Sequence, residues 1–262
     1  MVPLLTNPSI YKVPVHRSGF LFFLLHKKPL LCLVANGRVF ISYIEIKRRY
    51  YPSFVSRFIL MYIDAMFRYF VIYKPFQVLC QFSSAENKRT LKDLFDVPSD
   101  VYPVGRLDYD SEGLLILTND PSLNQRLLNP IHAHEREYWV QVDGTISEAA
   151  LQELCKGVQI NIDGKIHKTK PCIATLLPAI IDVPDRDPPV RFRKNIPTAW
   201  IKLILTEGKN RQVRRMTASV NHPTLRLIRQ RIEGIHIQGW QPGNIKEFAR
   251  PEIYRLLFKN IQ

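Results

Sequence analysis

The sequence predicts an α+β fold with a mixed sheet. Three features carry this: strand and helix patterns alternate irregularly, Asp163-Gly164 is a hairpin signal, and no run of regular βαβ units occurs. With 262 residues, 46% of them hydrophobic, the chain can bury one good core, or one core and a small appendage.

From Phe67 onward the elements follow in order. Phe67 to Tyr73 reads as a strand running into Lys74-Pro75, and Thr90 to Phe95 as a short helix. Val101 to Val104 is extended before Gly105. The apolar run Gly113 to Thr118 suits a buried strand, and Asn119-Asp120-Pro121 caps a helix over Ser122 to Leu128. Tyr138 to Val142 alternates as a strand. Ser147 to Lys156 has helical spacing, with Ser147 as N-cap and Gly157 at the far end. Pro184, Pro188, Pro189 and Pro197 mark an irregular loop, because proline breaks both ladders and helices. Ala199 to Thr206 alternates, Asn210 to Val220 is helical, and Thr224 to Arg231 is extended.

Charge points to a polyanionic partner. Lys and Arg total 37 against 23 acids, a net charge of +14. Nucleic acid leads, and an anionic membrane surface is the rival. The apolar stretch Phe20 to Leu25 ends at His26-Lys27-Lys28-Pro29, far short of the about 20 residues that span a bilayer. No signal-peptide pattern accompanies it. Cys32, Cys80, Cys155 and Cys172 lack the spacing of a zinc knuckle or disulfide framework, and read as thiols of a reducing compartment. His132-Ala-His134 has no third ligand and reads as a surface turn. No metal or cofactor is expected.

Composition changes near residue 65. The first 65 residues carry nine Lys or Arg and two acids, with weak turn and helix signals. They are read as a basic, poorly ordered extension translated upstream of a true start at Met61 or Met66. An RNA-binding arm, with basic groups on phosphate and aromatics on bases, is the rival reading.

Two motifs carry chemistry. The first is Gly105-Arg-Leu-Asp108-Tyr-Asp110-Ser-Glu112-Gly-Leu-Leu115. On an extended segment Asp108, Asp110 and Glu112 would project to one side, and a nearby arginine would hold one of them ionised. Such a carboxylate is a competent nucleophile towards a sugar C1′ or a pyrimidine ring. Spacing alone favours a solvated acidic turn with Arg106 as a surface partner, since charge-rich turns are common. The second is Glu207-Gly-Lys209-Asn-Arg211-Gln-Val-Arg214-Arg215-Met216, a basic helix entry. Arg211 and Arg215 share a helix face and repel unless an anion lies between them.

Together these motifs make the sequence similar to the pseudouridine synthase family whose bacterial members modify ribosomal RNA. Tyr73-Lys74-Pro75 resembles the family's first motif, and Tyr138-Trp-Val-Gln-Val142 its tyrosine strand. The match covers roughly residues 67 to 240. Pro188-Pro189, Arg193-Lys194, Ile196-Pro197-Thr198, Trp200 and Pro223-Thr-Leu-Arg-Leu-Ile-Arg229 resemble its E-type branch, which acts on the large subunit.

The resemblance implies the pseudouridine synthase fold over 66–262, with a largely antiparallel sheet, flanking helices and a central RNA-binding cleft; the first 65 residues do not resemble the S4-type RNA-binding domain that precedes the catalytic part in many relatives. It makes Asp108 the nucleophile, Tyr138 the ring that stacks on a flipped uracil, and Arg214 the ion-pair partner of Asp108. Arg106 would fill the gap left by the flipped base, and Lys74, Lys209, Arg211 and Arg215 would bind RNA. Arg136 stands where the family usually has Lys, and Asn221 where Gly is expected. A cytoplasmic monomer acting without cofactor on 23S ribosomal RNA, free or in an assembly intermediate, is the expectation. The alternatives are a glycosidase using the same acidic loop and a non-catalytic RNA-binding or ribosome-assembly protein.

Overall fold

The structure, a computed structural model, describes residues 67–258 except 86 and 191–195, together with the backbone of three strands nearer the N-terminus. Met61, Met66 and Arg193-Lys194 fall outside the described residues. The three early strands, β1 (Phe20–Leu25), β2 (Lys28–Ala35) and β3 (Arg38–Tyr43), pair antiparallel in the order β1-β2-β3. They belong to a unit spanning Met1–Ile59, separate from the unit Leu60–Gln262.

The second unit is organised on a nine-stranded sheet. It comprises β4 (Tyr69–Lys74), β5 (Val78–Leu79), β6 (Arg89–Thr90), β7 (Tyr102–Pro103), β8 (Glu112–Thr118), α1 (Pro121–Leu128), β9 (Arg136–Asp143) and α2 (Glu148–Lys156). Then come β10 (Gln159–Ile162), β11 (Lys165–Lys168), β12 (Ile173–Leu176), β13 (Thr198–Leu205), α3 (Gln212–Ser219), β14 (Thr224–Ile232), β15 (Ile235–His236), β16 (Ile245–Phe248) and α4 (Arg250–Leu257). The sheet runs β12-β13-β9-β14-β8-β4-β16, with β15 against β14 and β7 against β8. Within this sheet, among the described residues, only the β14–β8 pair is parallel, so the expected mixed, largely antiparallel sheet is present; β5 and β6 form a separate parallel pair. Among the described residues no helix is long and apolar enough to cross a membrane.

β8 is buried along its whole length, as its apolar run requires at the centre of a sheet. Gly113 allows the close parallel approach: a Cβ there would stand 2.4 Å from Arg229 O. Asp120 caps α1 by accepting from Ser122 N at 2.8 Å, and its other oxygen accepts from Tyr69 Oη at 2.8 Å and Tyr254 Oη at 2.7 Å. One carboxylate thus ties β4, α1 and α4 together. Burial alone would raise its pKa, but the two phenols and the capping N–H groups outweigh that and hold it low.

The structure shortens two predicted helices. Thr90 to Phe95 is a single 3₁₀ turn, Leu91–Asp93, fixed by reciprocal bonds between Thr90 and Asp93. α3 begins only at Gln212, because Arg211 adopts a left-handed conformation with φ of 50° at the helix entry. β12, β15, β16 and α4 were not foreseen.

Candidate active site

The acidic motif does not run straight. It turns at Asp108, with Ser111 N donating to Asp108 O at 3.1 Å, before β8 begins at Glu112. The turn sends the three acids to different places. Glu112 is buried and accepts both Arg226 Nε at 2.9 Å and Arg226 Nη2 at 2.8 Å, so it is a structural anchor rather than a third reactive acid. Asp110 accepts a bidentate pair from Arg211, Nη1 at 2.9 Å and Nη2 at 2.8 Å. Asp108 stays 3.6 Å from Arg211 Nη1 with its side chain 28% exposed.

Arg214 corrects the expectation. Its ion pair is with Asp110, Nε to Oδ2 at 3.3 Å, not with Asp108, and its Nη2 also donates to Asp110 O. The turn carries Asp110 rather than Asp108 towards α3. Burial would raise the Asp110 carboxyl, yet the Arg211 hydrogen bonds and the charges of Arg214 and Arg211 hold it below its ordinary value. Burial pushes Arg214 down despite Asp110, while the bonds to Asp110 raise Arg211.

Lys74 also departs from its expected role. It is fully buried, with Nζ donating to Pro75 O at 2.8 Å. Burial pushes its pKa down to about 8, against the opposing pull of Cys80, Glu112, Asp110 and Asp108. A side chain with no exposed surface cannot grip an RNA phosphate, so Lys74 is a cation beneath the acidic turn.

A cleft of about 680 Å³ opens beside the turn. Asp108, Arg106, Tyr138, Lys209 and Arg211 all line it. The protein thus brings together groups separated by up to about a hundred residues, because β9 and the loop before α3 flank the same opening. Arg106 and Lys209 are exposed, and Tyr138 is 9% exposed on β9. Arg215 is not among the lining residues; it bonds Asn161 O and Asn210. It fastens the β10–β11 hairpin to the entry of α3.

Sequence reading missed several lining residues. His134 is buried, with Nδ1 2.9 Å from Glu233 Oε1, although it was read as part of a surface turn. Arg136 and Arg229 line the cleft floor, and Ser111 lies just behind Asp108. Ser111 Oγ, His134 Nε2 and Arg229 Nη2 are buried and meet no protein partner among the described residues. Arg136 was noted at the position where the family usually has Lys but was given no role, and the signal at Arg229 is its charge on a strand otherwise destined for the core. Glu207, another lining residue, accepts from Lys170 N at 2.8 Å and Gln212 Nε2 at 2.7 Å and stiffens the basic loop. Among the described residues no three His, Cys, Asp or Glu side chains gather as metal ligands.

This arrangement resembles known proteins in both sequence and fold. The profile of the RNA pseudouridylate synthase family matches residues 68–219. A ribosomal large subunit pseudouridine synthase E of Xanthomonas campestris pv. campestris is 51% identical over 172 residues, 65% of this chain and 89% of that one. The protein of the same name from Vibrio parahaemolyticus is 45% identical over 189 residues, 71% of this chain and 76% of that one. Among solved structures, a crystal structure of pseudouridylate synthase superposes with a TM-score of 0.60 at 24% identity, covering 72% of this chain and 74% of that chain.

Proposed function

Because the chain belongs to the RNA pseudouridylate synthase family, we propose that it isomerises one uridine of 23S ribosomal RNA to pseudouridine, with Asp108 as the nucleophile. The observation that carries this reading is the shared cleft: Asp108 and Tyr138 line one opening, and of the three acids of the turn Asp108 is the one that lines it. Glu112 is spent on Arg226, and Asp110 on Arg211 and Arg214.

The reaction breaks the N1–C1′ bond, turns the uracil and joins C5 to C1′. A proton leaves C5 and one arrives at N1, so no net redox change occurs. The uridine must first leave its stack, at a cost of a few kcal/mol. Arg106 on the rim fills the gap, and Tyr138 stacks on the base and assists the C5 proton. Lys209 and Arg211 hold flanking phosphates. Arg211 also stands 3.6 Å from Asp108, close enough for its charge to face that carboxylate across the mouth of the cleft. Arg214 acts one step removed, by locking Asp110 and hence the turn that presents Asp108. Arg215 steadies the same basic loop.

The large-subunit RNA is favoured by the names of the two similar proteins. The reading has the catalytic unit begin near residue 66, with the preceding basic segment an extension, and the chain working as a cytoplasmic monomer. Pseudouridine mapping of ribosomal RNA from cells with and without the gene is the test. One 23S position losing its pseudouridine, restored by the purified chain, is the expected result; an unchanged map with RNA binding retained would instead favour a non-catalytic assembly role.

A further inference from the structure

Among the described residues, two arginines lining the cleft are held only by main-chain carbonyls. Arg229 stands opposite Tyr138 in the register of β14 and β9, and Arg136 precedes Tyr138 by two residues, on the same face of β9. Both line the cleft. Arg229 is 5% exposed; its Nε donates to Leu114 O at 2.7 Å, and its Nη2 meets no acceptor among the described residues. Arg136 donates to His134 O at 3.2 Å and Leu127 O at 3.0 Å. Among the described residues neither forms an ion pair like those of Arg226 with Glu112 or Arg231 with Glu137.

Such a pair is poorly placed without a ligand. Burial lowers the Arg136 pKa, and the charge of Arg229 lowers it further, while Tyr138 and Glu233 oppose the change. One buried and one half-buried cation that repel each other, and whose hydrogen bonds among the described residues go to neutral carbonyls, lack the compensation that charge withdrawn from water normally requires. The nearby acid Glu233 is engaged elsewhere, by His134 Nδ1 and Glu135 N.

We infer that Arg136 and Arg229 form an anion seat on the cleft floor, and that its occupant is one phosphodiester group of the RNA, adjoining the flipped nucleotide. The inference rests on the reading of the cleft as the RNA site. The acceptors on a uracil edge are neutral carbonyl oxygens flanking an N–H donor; a phosphodiester offers a full charge and two acceptor oxygens for the guanidinium forks. The seat differs from the exposed grip of Lys209 and Arg211. A phosphate reaches it only when the backbone follows the base inward, so it measures how deeply the nucleotide is drawn in.

The test is a scan of RNA oligonucleotides around the converted uridine, each with one neutral methylphosphonate linkage, bound to the wild type and to Arg229→Gln and Arg136→Gln. The expected result is that one linkage costs the wild type about tenfold in affinity, and that this penalty shrinks or vanishes in both variants. The salt dependence of binding to unmodified RNA should also fall by about 0.7 in log–log slope. Arg229→Lys keeps the charge and should retain most of the linkage-specific penalty, and it serves if Arg229→Gln proves unstable on melting. The seat is overturned if no linkage stands out in the wild type, or if the variants keep the full penalty. That second outcome with an altered pH–rate profile would assign Arg229 to tuning Tyr138. An RNA that is bound but not converted still reports on the seat, so loss of the isomerase reading and loss of the seat are separate results.

Discussion

Asp110 takes both guanidinium nitrogens of Arg211, at 2.9 and 2.8 Å, and leaves Asp108 at 3.6 Å from the same side chain. The two acids of one turn therefore divide the work: Asp110 fixes the basic loop, and Asp108 faces the cleft.

That division predicts different phenotypes. Asp110→Asn should lower kcat by on the order of tenfold to a hundredfold, because a displaced turn misaims Asp108 without removing it. It should also loosen the loop at Lys209 and Arg211, which hydrogen exchange of the backbone there would report. A kcat unchanged in Asp110→Asn would separate the loop clamp from catalysis.

Burial separates Lys74 from the exposed lysines. Lys74→Met should leave the salt dependence of RNA binding unchanged, whereas Lys209→Ala should reduce its log–log slope by about 0.7. Titrations of binding against salt decide it. A reduced slope for Lys74→Met would return that residue to the RNA contact set.

The buried Glu112–Arg226 pair predicts a large asymmetry. Removing one partner strands a charge, so Glu112→Ala should cost about 3–5 kcal/mol in urea unfolding. The double change Glu112→Ala with Arg226→Met should cost clearly less than the sum of the two single changes. Strictly additive losses would show that the two side chains are not coupled.

Asp120 sets an acid limb on stability. Its folded pKa lies below the unfolded value of about 3.9, so its contribution is fully present above that pH. As pH falls through the lower folded value, the carboxylate protonates and the contribution is lost. Asp120→Asn should cost about 2 kcal/mol near neutrality, because the Tyr69 and Tyr254 hydroxyls lose a charged acceptor. Thermal melts from pH 2 to 6 should show a flatter acid limb for the variant. An identical limb would mean that other carboxylates govern acid unfolding.

The parts of the site that were legible are those written in short contiguous runs. The turn around Asp108, the strand bearing Tyr138 and the basic entry to α3 each announce themselves within about ten residues. What was hidden depends on strand register across long separations. That Glu112 meets Arg226, that Arg229 bonds Leu114 O, and that Asp110 rather than Asp108 takes Arg214 all follow from β8, β14 and α3 being neighbours. Lys74 was assigned to RNA through the motif Tyr73-Lys74-Pro75, and a motif does not report burial: the whole of β4, Lys74 included, lies in the interior. The last elements escaped for simpler reasons: β16 has four residues, three of them exposed, and α4 carries Pro251 in its first turn.

The account stands or falls with the Asp108 carboxylate. Large-subunit RNA labelled with [5-³H]uridine, incubated with wild type and with Asp108→Asn at equal occupancy, measures it directly. The wild type should release tritium in proportion to pseudouridine formed, and Asp108→Asn should release none while binding the RNA with similar affinity. Release by Asp108→Asn at the wild-type rate would contradict the account.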